Sequence, residues 1–273
     1  MFLEQIIVLS LIQGITEFLP ISSSGHLILA PAVMGWKDQG IVVDMINNVG
    51  SLLAVVIYFW RDVLRMLRGL VDSAQRRWTG NAQLAFHVAI GTVPILVVGV
   101  LLEVTGLADH IRSPLLVAVN AIVFGLLLYV ADTYGLLKRG AQDLDWRGAL
   151  LIGGAQALAL SPGTSRSGIT MTAARAMGFM RSEAARYSFL LSIPANGASS
   201  VYIIGKAMAK GEPITGAAIL TGVLTFFVAL MTIAILMRLL RTMSFLPFVI
   251  YRVLLGVGLL AAIYSGIPLG AVN

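Results

Sequence analysis

Six apolar segments, at about 41–60, 83–104, 114–137, 187–205, 214–237 and 247–266, decide what this chain can become. Each is close to the roughly 20 residues that an α-helix needs to cross a hydrocarbon core about 30 Å thick. Hydrophobic residues make up 58% of the 273 and charged residues only 12%, where soluble domains carry about a quarter. With a mean hydropathy of +0.90 and no long polar stretch left over, the expected fold is an all-α polytopic membrane protein, a single integral domain over 1–273. No cysteine is present, which excludes disulfide and thiolate chemistry. The first residues lack a basic leader and a small-residue cleavage site, so no cleaved signal peptide is expected.

Two further apolar stretches, 1–35 and 149–180, are broken near their middles by Pro, Gly and Ser. An unbroken spanning helix keeps its backbone hydrogen bonds intact, so each is read as a re-entrant hairpin of two half-helices. The basic residues test this scheme. Of 19 Lys and Arg, Lys37, Arg112, Lys206 and Lys210 fall on one side, and Arg166 and Arg252 lie within embedded sequence. The other thirteen share the opposite side, which the positive-inside rule assigns to the cytoplasm. The net charge of +6 therefore needs no nucleic-acid partner, and both termini are expected to face outward from the cytoplasmic (inner) membrane.

Each half then holds one hairpin and three spans, and the odd number of spans inverts the second half relative to the first. The repeats run over about 1–137 and 138–273. A shift of 143 positions lays "QGITEFLPISSSG" over "QALALSPGTSRSG" and pairs Gln13 with Gln156, Ser22 with Ser165, Ser24 with Ser167 and Gly25 with Gly168. Inverted repeats with broken helices bring their polar tips together near the bilayer midplane, so the two interruptions should build one site.

Gln13 and Glu17, four apart, share a helix face just before Pro20, which is expected to end the half-helix. Ser22 to Ser24 and Thr164, Ser165 and Ser167 suit helix N-caps. Two helix amino termini would present N–H groups and partial positive charge to a phosphate, and Arg166 would add a bidentate cationic fork. Ionisable groups in a membrane are costly, so Glu17, His26 and Arg166 together call for a functional reading. The bland alternative is a buried Glu17–Arg166 pair that only fixes repeat packing.

At these residues the sequence resembles the undecaprenyl-diphosphate phosphatases of the bacitracin-resistance (BacA/UppP) family. The segment Gln13 to His26 matches that family's (Glu/Gln)-x-x-x-Glu and Pro-x-Ser-Ser-(Ser/Thr)-Gly-His elements, and Pro162 to Gly168 matches its Pro-Gly-x-Ser-Arg-Ser-Gly loop. The likeness extends to "GSLLAVVIYFWRD" at 50–62 and "SFLPFVIYR" at 244–252. The resemblance implies hydrolysis of undecaprenyl diphosphate to undecaprenyl phosphate and inorganic phosphate, recycling the carrier for peptidoglycan and other envelope polymers. It also implies bacitracin resistance and dependence on a divalent cation, Mg²⁺ or Ca²⁺, which could bridge Glu17 and the diphosphate, since such ions take few protein carboxylates plus phosphate oxygens.

Ser23 is the preferred nucleophile, with Glu17 as base, His26 as acid or water-activating group, and Arg166 as phosphate clamp. A phosphohistidine at His26 is the rival assignment. Gln13, Gln156, Ser22, Ser24, Gly25, Thr164, Ser165, Ser167 and Gly168 are expected to line the phosphate site. Arg252 could contact lipid phosphate or snorkel to the interface, Asn47 and Asn48 read as capping or interface residues, and His87 and His110 as interfacial. Two other function classes compete: a polyprenyl-phosphate transporter or flippase, which shares the architecture, and an intramembrane serine protease, for which no Gly-x-Ser-x-Gly elbow exists. Monomer and homodimer are both open.

Overall fold

The computed structural model describes residues 2–36, 39–107, 113–211 and 213–266; Lys37, His110 and Arg112 lie outside the described residues. Among the described residues eleven α-helices follow one another: α1 Leu3–Thr16, α2 Ser23–Met34, α3 Ile41–Tyr58, α4 Trp60–Ala74, α5 Gly80–Thr105, α6 Pro114–Tyr134, α7 Trp146–Ala157, α8 Arg166–Ala176, α9 Arg181–Ala209, α10 Gly216–Leu239 and α11 Leu246–Tyr264. No β-strand occurs among the described residues; Arg139 and Phe179 form one isolated bridge.

Local sequence explains most helix starts. Thr79, Asp145, Ser165 and Thr215 each accept a hydrogen bond from the N–H three residues on, capping α5, α7, α8 and α10. Proline opens α6 and α11, where its missing N–H costs nothing. Among the described residues five helices, α3, α5, α6, α10 and α11, are both long and apolar enough to cross a membrane. Over the expected sixth span, 187–205, the chain is helical within the 29 residues of α9. That helix spans about 43 Å, but Ser188, Ser192, Asn196 and Ser199 make it less apolar than the five.

Two features depart from the sequence reading. The arginine-rich loop after the first span contains a helix, α4, whose charged residues Arg61, Asp62, Arg65 and Arg68 alternate with Trp60, Leu64, Leu67 and Leu70 at helical spacing. Its apolar side is exposed on the protein, as suits a helix lying along a membrane surface. Secondly, α1 stops at Thr16 rather than at Pro20. Proline disfavours helical geometry in the residue before it, and the chain turns through 17–21 with Ile21 N–H bonded to the Leu19 carbonyl at 2.7 Å.

Helices meet where side chains are absent. A Cβ on Gly50 would sit 2.2 Å from the Gly222 carbonyl oxygen, drawing α3 onto α10, and one on Gly153 would sit 2.2 Å from that of Gly91, drawing α7 onto α5. Helix pairs in lipid gain little from the hydrophobic effect and depend on such close packing. A buried cluster including Phe18, Phe59, Phe189, Leu190 and Ile233 lies beside the first broken helix, with Phe18 edge-on to Phe189 at 5.4 Å.

Arg175, which the loop count placed on the cytoplasmic side, is fully buried in the last turn of α8. It bonds the Asp132 carboxylate at 2.9 Å and the carbonyls of Asp132, Gly135, Leu136 and Phe179, closing the carboxyl end of α6. The cation terminates a helix whose last carbonyls would otherwise be unpaired.

Candidate active site between the two broken helices

The loop between α1 and α2 meets the loop between α7 and α8. Glu17, just past the end of α1, is the meeting point. Its Oε1 accepts from Arg166 Nη2 at 2.7 Å and Asn196 Nδ2 at 3.3 Å, while its Oε2 accepts from Ser23 Oγ at 2.6 Å and Gln13 Nε2 at 3.3 Å. The Glu17 and Arg166 side chains are only 10% and 15% exposed, so this is an ion pair shielded from bulk solvent.

A cavity of about 150 Å³ opens beside the pair, lined by Glu17, Ser22, Ser23, Ala159, Ser165 and Arg166. Arg166 Nη1 and Thr164 Oγ1 are buried with no protein partner among the described residues. A pair serving packing alone would leave no unmatched donor beside a polar cavity, because an unmet buried polar group costs about 1–3 kcal/mol.

Ser22 (φ 74°) and Ser165 (φ 69°) are two of the three non-glycine residues with positive φ among those described. They are 143 positions apart, the shift that aligns the two motifs (165 − 22 = 143). Each sits immediately before a helix, α2 or α8. Such backbone costs of order 1–3 kcal/mol and gathers at functional sites.

The loops are also tied to each other. Ser167 Oγ donates to the Leu19 carbonyl at 3.1 Å, and Ser165 Oγ accepts from Gly168 N–H at 3.1 Å while lying 3.3 Å from Ser167 Oγ. A Cβ on Gly163 would sit 2.5 Å from the Val117 carbonyl oxygen, and one on Gly168 2.8 Å from Arg252 Nη1; both glycines are required by close approach. Gly25 is buried against Val117.

Other expected residues stand further off. His26, on the first turn of α2, does not line the cavity. Its Nδ1–H donates to the Ser22 carbonyl at 2.7 Å, so that in the neutral ring Nε2 accepts from the Tyr251 hydroxyl at 2.5 Å. The two rings stack with centroids 5.6 Å apart. Gln156 is fully buried on α7 with neither amide atom bonded among the described residues. The side chain of Ser24 lies outside the described residues.

Sequence reasoning missed Asn196 and Asn120, and gave Asn48 and Arg252 other roles. Asn196 of α9 reaches Glu17 and, at 3.5 Å, Asn48 Oδ1, so Asn48 belongs to the site's second layer rather than to a helix cap. Its neighbour Asn47 is buried and accepts from Thr225 at 3.1 Å. Asn120 Nδ2 holds the Ser161 hydroxyl and the Pro162 carbonyl at 2.8 and 2.7 Å. Arg252 neither snorkels nor reaches a surface: it is fully buried and donates to the carbonyls of Pro20, Asn120, Ala121, Gly163 and Thr164 at 2.9–3.2 Å. The available signal was a polar amide or cation inside an apolar run, which is costly enough to imply a partner. His87 is buried within the protein.

Among the described residues no three His, Cys, Asp or Glu cluster as metal ligands. Glu17 is the site's one carboxylate among the described residues, and four N–H or O–H donors already occupy its two oxygens. The donor set therefore does not fit a resident Mg²⁺ or Ca²⁺.

Fold and site together define a polytopic helical membrane protein with a shielded, donor-rich cavity suited to an anion. A family model described as bacitracin resistance protein BacA matches residues 6–258. The chain is 48% identical over 268 residues to a protein of Ruegeria pomeroyi, covering 97% of this chain and 100% of the relative. It is 45% identical over 273 residues to one of Jannaschia sp., with the same coverage, and 42% identical over 279 residues to one of Erythrobacter litoralis, covering 94% and 98%. All three relatives are named undecaprenyl-diphosphatase. The chain belongs to the bacitracin resistance protein BacA family.

Proposed function

We propose that this protein hydrolyses undecaprenyl diphosphate to undecaprenyl phosphate and inorganic phosphate in a bacterial inner membrane, recycling the carrier lipid for cell-envelope synthesis and thereby opposing bacitracin. The observation that carries the reading is the 2.6 Å contact from Ser23 Oγ to Glu17 Oε2 at the wall of a cavity that Arg166 also lines. A hydroxyl so placed has its base within hydrogen-bond reach. Glu17 takes the Ser23 proton as Oγ attacks the terminal phosphorus. The phosphorus–oxygen bond to undecaprenyl phosphate breaks, leaving a phosphoserine. Glu17 passes that proton to the departing undecaprenyl phosphate oxygen, and, again a carboxylate, takes a proton from the water that attacks the phosphoserine phosphorus and returns it to Ser23 Oγ as inorganic phosphate leaves. Arg166 neutralises the equatorial oxygens.

The choice of Ser23 over His26 is supported by the same geometry. The imidazole has both nitrogens engaged and lies outside the cavity lining, so attack by Nε2 would first require parting from Tyr251. His26 then orients the Ser22 backbone or prepares the second step. No step is derived through a divalent cation. A flippase has less support, since translocation needs no serine held against a carboxylate. A serine protease would leave Arg166 without a task.

For the architecture we infer an inverted repeat of two re-entrant hairpins, each followed by three spans. Its support is that α1 and α7 begin 143 residues apart (146 − 3), as do α2 and α8 (166 − 23), and that α1 packs on α10 while α7 packs on α5. Outward-facing termini follow from the basic-residue bias. Monomer and homodimer are equally compatible with a site built from one chain.

The test is phosphate release from undecaprenyl diphosphate by purified protein in detergent, where no gradient exists. Release by the wild type and its loss in Ser23→Ala support the proposal; no release by the wild type refutes it.

A further inference from the structure

Arg252 is a fully buried guanidinium whose five hydrogen-bond partners are all backbone carbonyls. They come from three segments: Pro20 in the first loop, Gly163 and Thr164 in the second, and Asn120 and Ala121 in α6. No carboxylate among the described residues pairs with it. A buried cation without an anion is expensive, and carbonyl dipoles offset that cost only because five converge. Two of the five belong to consecutive residues leading into Ser165 and Arg166, at the cavity wall.

In a trans peptide the carbonyl and the following N–H point in opposite directions across one plane, and no cis peptide bond occurs among the described residues. Holding the Thr164 carbonyl at 2.9 Å therefore turns the Ser165 N–H away from Arg252, and Ser165 itself lines the cavity. That N–H has no acceptor among the described residues. The preceding N–H, of Thr164, is already bonded to the Ser161 carbonyl at 3.3 Å. Ser165 has a φ of 69°, a conformation that side-chain-bearing residues avoid unless their surroundings impose it.

We propose that Arg252 is a positioning residue: by gripping the Gly163 and Thr164 carbonyls it fixes the Thr164–Ser165 peptide so that its N–H, and not its carbonyl oxygen, faces the transferred phosphate. The Glu17–Arg166 pair is neutral as a unit, so Arg252 also supplies the site's surplus positive charge from behind the loop. Without it, rotation of that one peptide would present a carbonyl oxygen to the phosphate and turn a donor into a repulsive group. The same side chain, through Pro20, keeps the Ser23 loop in register with the Ser165 loop.

The inference rests on the phosphatase reading, so binding and turnover are measured separately on the same preparations. Inorganic phosphate binding is titrated calorimetrically in detergent for the wild type, Arg252→Gln and Arg252→Lys, alongside kcat/KM with undecaprenyl diphosphate and the thermal midpoint. Loss of a single preorganised donor typically costs 10²–10³ in rate. Arg252→Gln is expected to weaken phosphate binding by at least about thirtyfold and kcat/KM by about a hundredfold or more. Arg252→Lys keeps charge and length but lacks the planar fork, and is expected to fold like the wild type while binding phosphate about tenfold more weakly. A role limited to packing would lower the midpoint and leave phosphate affinity of the folded Lys variant within twofold of wild type, and that result overturns the proposal. Should the wild type bind phosphate yet release none from the lipid, the phosphatase reading fails, while the positioning role still stands or falls on the binding titrations.

Discussion

Removing Arg166 separates a structural ion pair from a phosphate clamp, because the two predict different behaviour when its partner is removed as well. Arg166→Met leaves the Glu17 carboxylate 10% exposed and without its cation. Breaking a buried pair by removing one member costs about 3–5 kcal/mol. Ser23, Gln13 and Asn196 still donate to Glu17, which places the expected loss at the lower end, about 3 kcal/mol. In Glu17→Gln/Arg166→Met no unpaired charge remains, and at least about 2 kcal/mol of that loss should return, since contacting residues are non-additive. Catalysis should not return. Loss of the clamp alone is expected to cost about 10²–10³ in kcat, and loss of the base in the double variant adds to it. The assay pairs thermal midpoints in detergent with initial rates of phosphate release for the wild type, both single variants and the double. If the double variant regained activity along with stability, the Glu17–Arg166 pair would be a packing device and the reasoning would be refuted.

Other perturbations test separate parts of the account. Asn196→Leu removes one donor from the Glu17 carboxylate, and kcat should fall about tenfold with a stability change near 1 kcal/mol; unchanged kinetics would remove Asn196 from the site. Gly153→Ala drives a methyl against the Gly91 carbonyl oxygen, 2.2 Å from the ideal position, and should lower stability by about 1–3 kcal/mol, whereas Gly154→Ala, which meets nothing within 4 Å, should leave the midpoint unmoved. Because Glu17 is the lone carboxylate and its oxygens are occupied, equilibrium dialysis without lipid should find no stoichiometric Ca²⁺ or Mg²⁺ site of micromolar affinity; one bound ion per chain would contradict the donor analysis.

The membrane class and the meeting of Glu17 with Arg166 were legible because each leaves a local mark. Apolar runs of spanning length mark helices, and Glu17 and Arg166 inside such runs mark a site, whatever the tertiary arrangement. Ser22 and Ser165, which the 143-residue shift pairs, share a positive φ, a backbone geometry that their spacing alone does not specify. Less legible was anything set by long-range contact. The boundary of α1 at Thr16 depends on the conformation that Pro20 imposes on its predecessors, and α4 was hidden because its arginines, at helical spacing, were weighed only as topology signals. The direction of His26 could not be read from sequence: its spacing from Ser22 allows the Nδ1 bond, but its turn towards Tyr251 of α11 depends on packing between distant helices. Arg252 is the sharpest case, since "YR" at the start of a span looks like a snorkelling pair, and only the meeting of two loops 143 residues apart with α6 gives its guanidinium five carbonyls.

The central claim is that Ser23 receives the phosphoryl group while Glu17 takes its proton. Parallel acid and alkaline quenches of the wild type turning over undecaprenyl diphosphate labelled in its terminal phosphate, each followed by peptide mapping, test it most directly. The account predicts acid-stable label on Ser23, absent in Ser23→Ala and strongly reduced in Glu17→Gln. Label recovered on His26, stable in base and lost in acid, would contradict it.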